Sequence, residues 1–301
     1  VKNCLEWILF EALHLFCLLS PRKLCLSLGR NLGCLAYFLD RKHRKIAHSN
    51  LQTAFGKNFP LEKLKQIVKS SFKHTGEIIM DLLKFPHLSE EKKRGLFFVG
   101  GEENLKEALN QGSGVLLFSG HYGNWELAPY YLAQKASLSV VARELDNPFL
   151  EKKLRKIRKS MGAKVILKKK VTRKILKSLR QGEMVAILID QNVLRSEAVF
   201  VDFFGRKAAT TPSLAAFYLR TKAVLLPVFC FSKNKKIYHL KILKPIRFNP
   251  TGNYDEDVLK ITQICTKIIE NQIRENPAPW FWFHNRWKTR PKEEAEKSSS
   301  R

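Results

Sequence analysis

Gly112-Ser113-Gly114-Val115-Leu116-Leu117-Phe118-Ser119-Gly120-His121-Tyr122-Gly123-Asn124-Trp125-Glu126-Leu127 is the stretch whose reading decides this chain. Val115 to Ser119 is a short apolar run entered through a glycine turn, the pattern of a buried strand. Asn124 to Gln134 reads as a helix. The residues between form a strand-to-helix turn, where backbone N–H groups are free and side chains are presented to solvent. Gly120 and Gly123 flank that turn, as unusual backbone angles would require. The turn presents His121, with Glu126 five residues further on. A carboxylate in the first helical turn is expected to fold back to the imidazole. There it would fix the tautomer and stabilise the imidazolium formed when the ring takes a proton. This is general-base equipment without a protein nucleophile. Two rival readings fail. Gly112-Ser113-Gly114 is not followed by the Lys and Ser/Thr of a phosphate loop. Leu117 stands where a G-x-S-x-G nucleophile elbow needs its first glycine.

Outward from this segment, strands are expected at 96–99, 138–142, 164–167 and 184–189 besides 115–119. Helices are expected near 102–110, 124–135, 147–161 and 171–181. The alternation predicts an α/β fold: a mixed sheet with flanking crossover helices. Beyond residue 190 the pattern predicts a strand near 198–201, a helix at 212–221 and strands at 224–231 and 237–243. The turn Ser232-Lys233-Asn234-Lys235 splits the last two. A long helix then runs from Asp255 to Asn276 and ends at Pro277 and Pro279. Residues 22–84 are helical in pattern, and 292–301 have the composition of a disordered tail.

Residues 4–19 are strongly apolar but short for a membrane span, which needs about 20 residues. Glu6, Glu11 and His14 fall within an arc of about 140° at 100° per residue. The segment after Pro21 repeats the pattern: Lys23, Ser27, Arg30 and Asn31 share one face, with leucines and aromatics opposite. Gly29 and Gly33 would permit close helix contact. The expected organisation has three parts: membrane-anchoring helices at 1–39, a catalytic domain at 40–291 and a tail at 292–301. The anchoring helices are expected to be embedded in, or to lie on, a bilayer interface. Two ordinary core helices of a soluble domain are the plainer alternative.

The chain carries 54 Lys and Arg against 27 Asp and Glu, a formal charge of +27. Such a field selects anionic partners. Residues 151–174 hold twelve Lys or Arg and one Glu. No recognised nucleic-acid motif accompanies this charge, so nucleic acid is not the expected partner. Aromatics cluster instead at Trp280–Trp287 beside Arg286, Lys288 and Arg290, a composition suited to a membrane interface. The six cysteines form no Cys-x-x-Cys pair, and neither a metal site nor a thioredoxin-like motif is expected.

The segment around His121 resembles the lipid A biosynthesis (lauroyl/myristoyl) acyltransferases, a branch of the lysophospholipid acyltransferase superfamily with an H-x4-D/E motif in this setting. The resemblance runs from about residue 20 to residue 291. It takes in Arg44-Lys45-Ile46-Ala47-His48-Ser49-Asn50-Leu51, the helix from Asn147-Pro148-Phe149 to Gly162, and Asp190-Gln191-Asn192. It continues through Phe203-Phe204-Gly205 to Ser213 and closes at Trp280 to Pro291. Phe281, Phe283 and Asn192-Val193 depart from the family's pattern without touching the His-Glu pair. The resemblance implies a glycerolipid acyltransferase-like fold and one N-terminal anchor. It implies His121 and Glu126 as the catalytic pair, and functional positions at Arg158 and Asp190. Asp190 also stands at a strand's carboxyl end, where ligands of open α/β sheets gather. Asn124 within the turn and Arg143 after strand 138–142 are supporting candidates. Backbone N–H groups of the 120–124 turn, or Arg158, are the expected oxyanion donors.

The expected function is a membrane-bound acyltransferase. It moves a fatty acyl chain from an acyl carrier protein thioester to a hydroxyl of an anionic lipid A precursor, without cofactor or metal. Its expected place is the cytoplasmic face of the bacterial inner membrane. Acylation of a lysophospholipid or another glycolipid is the same-class alternative. A non-catalytic basic membrane-binding protein of the same fold is the rival from another class.

Overall fold

The computed structural model describes residues 2–167, 171–232 and 237–292. Four helices come first: α1 (Lys2–Leu19), α2 (Arg22–Leu39), α3 (Arg41–Phe55) and α4 (Leu61–Lys84). Pro21 separates α1 from α2, since it fits a helix start but not an interior. The close contact expected of Gly29 and Gly33 is made with α4. A Cβ at Gly29 would lie 2.4 Å from the Gly76 carbonyl oxygen, and one at Gly76 2.0 Å from that of Gly29.

The main sheet contains β1 (Phe97–Gly100), β2 (Val115–Ser119), β3 (Leu138–Ala142) and β4 (Lys164–Leu167). It continues with β5 (Met184–Leu188), β8 (Val224–Ser232) and β9 (Tyr238–Ile242). The spatial order is β1-β9-β8-β2-β5-β3-β4. All neighbours are parallel except β8 and β9, so the sheet is mixed. The intervening β6 (Val199–Phe203) and β7 (Arg206–Thr210) form a separate antiparallel hairpin. The second strand of that hairpin has no sequence signal beyond the small residues Ala208 and Ala209.

β2 lies in the middle of the sheet and is buried on both faces. Leu116 and Phe118 join one core with α3, α4, α11 (Tyr254–Glu275) and the closing Trp280–Trp287 block. Val115 and Leu117 join the other, with α6 (Glu102–Asn110), α7 (Ala128–Leu132) and α8 (Pro148–Ser160). α5 (Glu90–Gly95), α9 (Val171–Arg180) and α10 (Ser213–Thr221) complete the helices. The Ser232–Lys235 turn lies mostly outside the described residues, as do residues 293–301.

One expected element is displaced. The helix read from 124 begins only at Ala128. Residues 122–124 are instead held by tertiary pairing: Tyr122 bridges to Trp280 and Gly123 to Cys230. Those backbone bonds compete with a helix and win.

The polarity of α1 is reversed relative to a surface helix, whose apolar stripe faces the core. Its polar side chains point inward: Glu6 accepts from Asn147 Nδ2 at 2.9 Å, and Glu11 from Lys153 Nζ at 3.1 Å. Its leucines point outward: Leu5 is 67% exposed, Leu9 62% and Leu19 77%. α2 buries its small residues Cys25, Gly29 and Gly33 and exposes Leu24, Leu35, Phe38 and Leu39 along with Lys23, Ser27 and Asn31. No helix among the described residues is long and apolar enough to cross a membrane.

Candidate active site

β2 delivers His121 to the carboxyl edge of the sheet, and β5 delivers Asp190 to the same edge. His121 Nδ1 lies 2.7 Å from Asp190 Oδ1. An ionised carboxylate only accepts, so Nδ1 carries the hydrogen and Nε2 is left as the basic atom. Asp190 Oδ2 accepts from the His121 backbone N–H and from Trp280 Nε1, both at 2.7 Å. Burial opposes the charge on Asp190. The charge and hydrogen bonds of His121, helped by His284, outweigh it and hold the carboxyl well below the usual range. Gly120 permits this approach, since a Cβ there would lie 2.8 Å from Asp190 Oδ2. Its φ is not positive, unlike that of Gly123 at +65°. At Gly123 a Cβ would come within 2.1 Å of the Cys230 carbonyl oxygen.

Glu126 does not fold back to His121. It is held by Arg158 of α8, which donates from Nε at 2.9 Å and from Nη2 at 2.5 Å. The physical reason is local. Without a helix at 124–127 the carboxylate has no helical path to the imidazole, whereas the guanidinium meets both its oxygens in a fork. The structure thus makes two pairs, His121 with Asp190 and Glu126 with Arg158, where the sequence suggested one. Burial lowers the Arg158 pKa, but Glu126 raises it further, and the net shift is upward. Arg158 Nη1 is buried and has no hydrogen-bond partner among the described residues.

The backbone N–H groups of residues 121–124 are not free to bind an oxyanion. The N–H of His121 goes to Asp190, that of Tyr122 to the Gly120 carbonyl, that of Gly123 to Pro279 and that of Asn124 to Cys230. Of the donors expected from the sequence, the Gly120 N–H and Arg158 lie outside this set.

Two cavities meet at the ion pair. An apolar pocket of about 680 Å³, open mouth included, lies between the sheet and α7. Leu117, Leu132, Val140, Leu188 and Cys230 line it, with Trp125, Glu126 and Arg158 at its border with an outer cleft. That cleft, about 1150 Å³ with its mouth, holds His121, Gln191 and Arg143. Trp125 stands edge-on to the imidazole, with ring centroids 5.1 Å apart. The Gln191 side-chain nitrogen is 3.3 Å from His121 Nε2. Arg143 is placed on the exposed rim, paired with Asp146. Asn124 lines neither cavity and is fully buried, donating from Nδ2 to the Tyr238 hydroxyl.

Sequence reading did not assign functions to Trp125, Gln191 and Trp280. Trp280 is the residue whose signal was present, in the aromatic closing block. That block is tied to the site from several directions. The Phe281 N–H donates to the His121 carbonyl at 2.9 Å. Asn50 of α3 donates to the carbonyls of Trp282 and His284. Arg286, fully buried, donates to the Ala209 carbonyl and to Thr210. Burial pushes Arg286 down to about 10 and His284 down to about 4.

Fold and site together describe an α/β protein that places a carboxylate-backed histidine beside an apolar pocket. The chain belongs to the bacterial lipid A biosynthesis acyltransferase family, whose model matches residues 2–289. It is 27% identical over 289 residues to a lipid A biosynthesis palmitoleoyltransferase of Escherichia coli K12, covering 95% of this chain and 92% of that one. It is 28% identical over 273 residues to a lipid A biosynthesis lauroyltransferase of the same organism, covering 90% and 87%. A phosphatidylinositol mannoside acyltransferase of Mycobacterium tuberculosis (strain CDC 1551 / Oshkosh) is 27% identical over 198 residues, covering 63% of this chain and 59% of that one.

Proposed function

We propose that the protein transfers a fatty acyl chain from an acyl carrier protein thioester to a hydroxyl of a lipid A precursor. The observation that carries this reading is the His121–Asp190 pair, with Nε2 turned to a cleft that opens onto an apolar pocket. An apolar lining of this kind suits a hydrocarbon chain. Nε2 takes the proton of the acceptor hydroxyl as its oxygen attacks the thioester carbonyl carbon. Asp190 stabilises the imidazolium. The tetrahedral oxyanion collapses, the C–S bond breaks, and the leaving thiolate takes the proton from His121. Ester and free thiol result, with no covalent enzyme intermediate. Arg158 Nη1, a buried cationic donor at the border of both cavities, is the oxyanion partner; Glu126 holds that guanidinium in place.

The surface supports an interfacial seat. The outward leucines of α1 and α2 suit the acyl boundary of a bilayer, here the cytoplasmic face of the bacterial inner membrane. The exposed lysines of α8, Lys152, Lys156 and Lys159, suit an acidic carrier protein. Acylation of a glycolipid other than a lipid A precursor is the second reading. The partial match to a phosphatidylinositol mannoside acyltransferase favours it over acylation of a lysophospholipid.

The deciding experiment incubates the purified protein with an acyl-carrier-protein thioester and, in parallel, a lipid A precursor, a lysophospholipid and a mannosylated phosphatidylinositol. A second set of incubations replaces the donor with the coenzyme A thioester, and products are identified by lipid mass spectrometry. A mass gain of one acyl group on the lipid A precursor alone is expected. Transfer only to another acceptor moves the assignment to that lipid, and transfer only from the coenzyme A thioester removes the carrier protein.

A further inference from the structure

A buried chain of four polar side chains runs from the N-terminal helices to the turn that bears His121. Arg22, at the start of α2, donates from Nε and Nη2 to the two oxygens of Asp81 on α4, at 2.8 and 2.7 Å. Tyr238, at the head of β9, donates its hydroxyl to Asp81 Oδ2. Asn124 donates from Nδ2 to the Tyr238 oxygen at 3.0 Å. Asp81 and Asn124 are fully buried, and Tyr238 is 5% exposed.

The direction of the chain is dictated by its chemistry. Asp81 can only accept. Tyr238 has one hydrogen and gives it to Asp81, so its oxygen is left to accept. The amide of Asn124 is thereby oriented, with Nδ2 toward Tyr238. Asn124 is held a second time by its backbone, whose N–H donates to the Cys230 carbonyl at 2.7 Å. His121 and Glu126 lie on either side of this doubly held residue. A buried ion pair adds little stability over an apolar replacement of the same shape. What a pair of this kind supplies here is a fixed orientation at the end of the chain, 157 residues of sequence separating Asp81 from Tyr238.

We propose that Tyr238 and Asp81 are positioning residues for acyl transfer: they hold Asn124, and with it the turn carrying His121 and Glu126, in register with the packed pair α2–α4. The proposal rests on the assignment of that turn as the site of transfer. An error of about 1 Å in the placement of reacting groups costs about 10²-fold in rate. The effect is thus expected in kcat rather than in donor binding.

The test measures kcat, KM for the acyl-carrier-protein thioester and thermal stability for Tyr238→Phe, Asn124→Ala, the double variant, Asp81→Asn and His121→Ala. Tyr238→Phe removes one hydroxyl and leaves the Arg22–Asp81 pair in place, so it carries the test if Asp81→Asn does not fold. The expected result is a loss of kcat on the order of tenfold for Tyr238→Phe with KM nearly unchanged. The double variant is expected to be no worse than Asn124→Ala, because both break one relay. A lowered melting temperature with wild-type kcat, or losses that multiply in the double variant, overturns the positioning role. If His121→Ala keeps wild-type turnover, the assignment of the site itself fails. If His121→Ala is inactive and Tyr238→Phe is fully active, only the relay fails.

Discussion

Asp190 closes the Nδ1 side of His121, so the side left open for proton transfer is Nε2. His121→Ala is expected to lower kcat by about 10²–10⁴-fold in folded protein. On the proposed mechanism Asp190→Asn removes the charge that would stabilise an imidazolium, and it is expected to cost at least about 10²-fold in kcat, with KM little changed. Single-turnover measurement of both variants checks this, and a fully active Asp190→Asn would detach the carboxylate from the chemistry. Asp190 also fixes a pH dependence of stability. Its folded pKa lies below the unfolded value near 3.9, so the unfolded chain binds the proton first as pH falls. The stabilisation is complete above about pH 4 and is lost below it as pH falls toward the folded pKa. Acid unfolding of Asp190→Asn should therefore show a shallower loss of stability on that side than wild type. Glu126 is separable from both effects. Glu126→Ala leaves the largely buried Arg158 without its anion and is expected to cost about 3 kcal/mol in denaturant unfolding. Glu126→Leu with Arg158→Met is expected to recover much of that stability and none of the activity.

At the scale of elements, α1 and α2 are distinguished by what they leave outside. Leu5, Leu9 and Leu15 are exposed, so replacing them has no core to damage. Leu9→Glu with Leu15→Glu is expected to reduce binding to vesicles containing anionic lipid while leaving the melting temperature within a degree or two of wild type. A large fall in melting temperature would show instead that this face is packed in solution. The opposite outcome is expected at the α2–α4 contact. Gly29→Ala puts a Cβ 2.4 Å from the Gly76 carbonyl oxygen, backbone that can yield only by moving a helix. A loss of about 1–3 kcal/mol is expected, measured by unfolding. Vesicle binding per folded molecule should remain as in wild type.

For the whole molecule the dominant property is the +27 charge. Exposed charges act mainly on encounter and weaken with salt. Reversing Lys152 and Lys156, both exposed on α8, is expected to raise KM for the carrier-protein thioester more than it lowers kcat, with the difference shrinking at moderate salt. Arg158, three and six residues along the same helix from Arg155 and Lys152, is turned inward to Glu126 and the cavities. Arg158→Ala is expected to lower kcat at every salt concentration. Kinetic profiles of the two variants at low and moderate salt check the division, which fails if they coincide. Association of the wild type with vesicles should survive about 1 M salt if the outward leucines hold it, since screening at that strength is nearly complete.

Local patterns in the sequence determined the strands of the main sheet, because apolar runs of four to nine residues between glycine and polar turns have few other uses. They also determined His121 at a strand end and the Gly29–Gly33 close contact, whereas the inward turn of the acidic side chains of α1 was set by its packing against α8. Asp190 was legible as a carboxylate at the ligand edge of a strand, but not as the partner of His121. That partner was chosen by sheet order: β5 lies beside β2, which brings residues 121 and 190 to one edge although 69 positions separate them. Glu126 was close in sequence and was displaced from the role because the turn is pinned by bonds to Pro279 and Cys230 and never becomes a helix. Those bonds also removed the N–H groups of Gly123 and Asn124 as oxyanion donors. Spacing along a chain can propose which side chains meet only while the backbone between them is regular. Where tertiary hydrogen bonds set the backbone, as from His121 to Asn124, the pairing belongs to the tertiary structure alone.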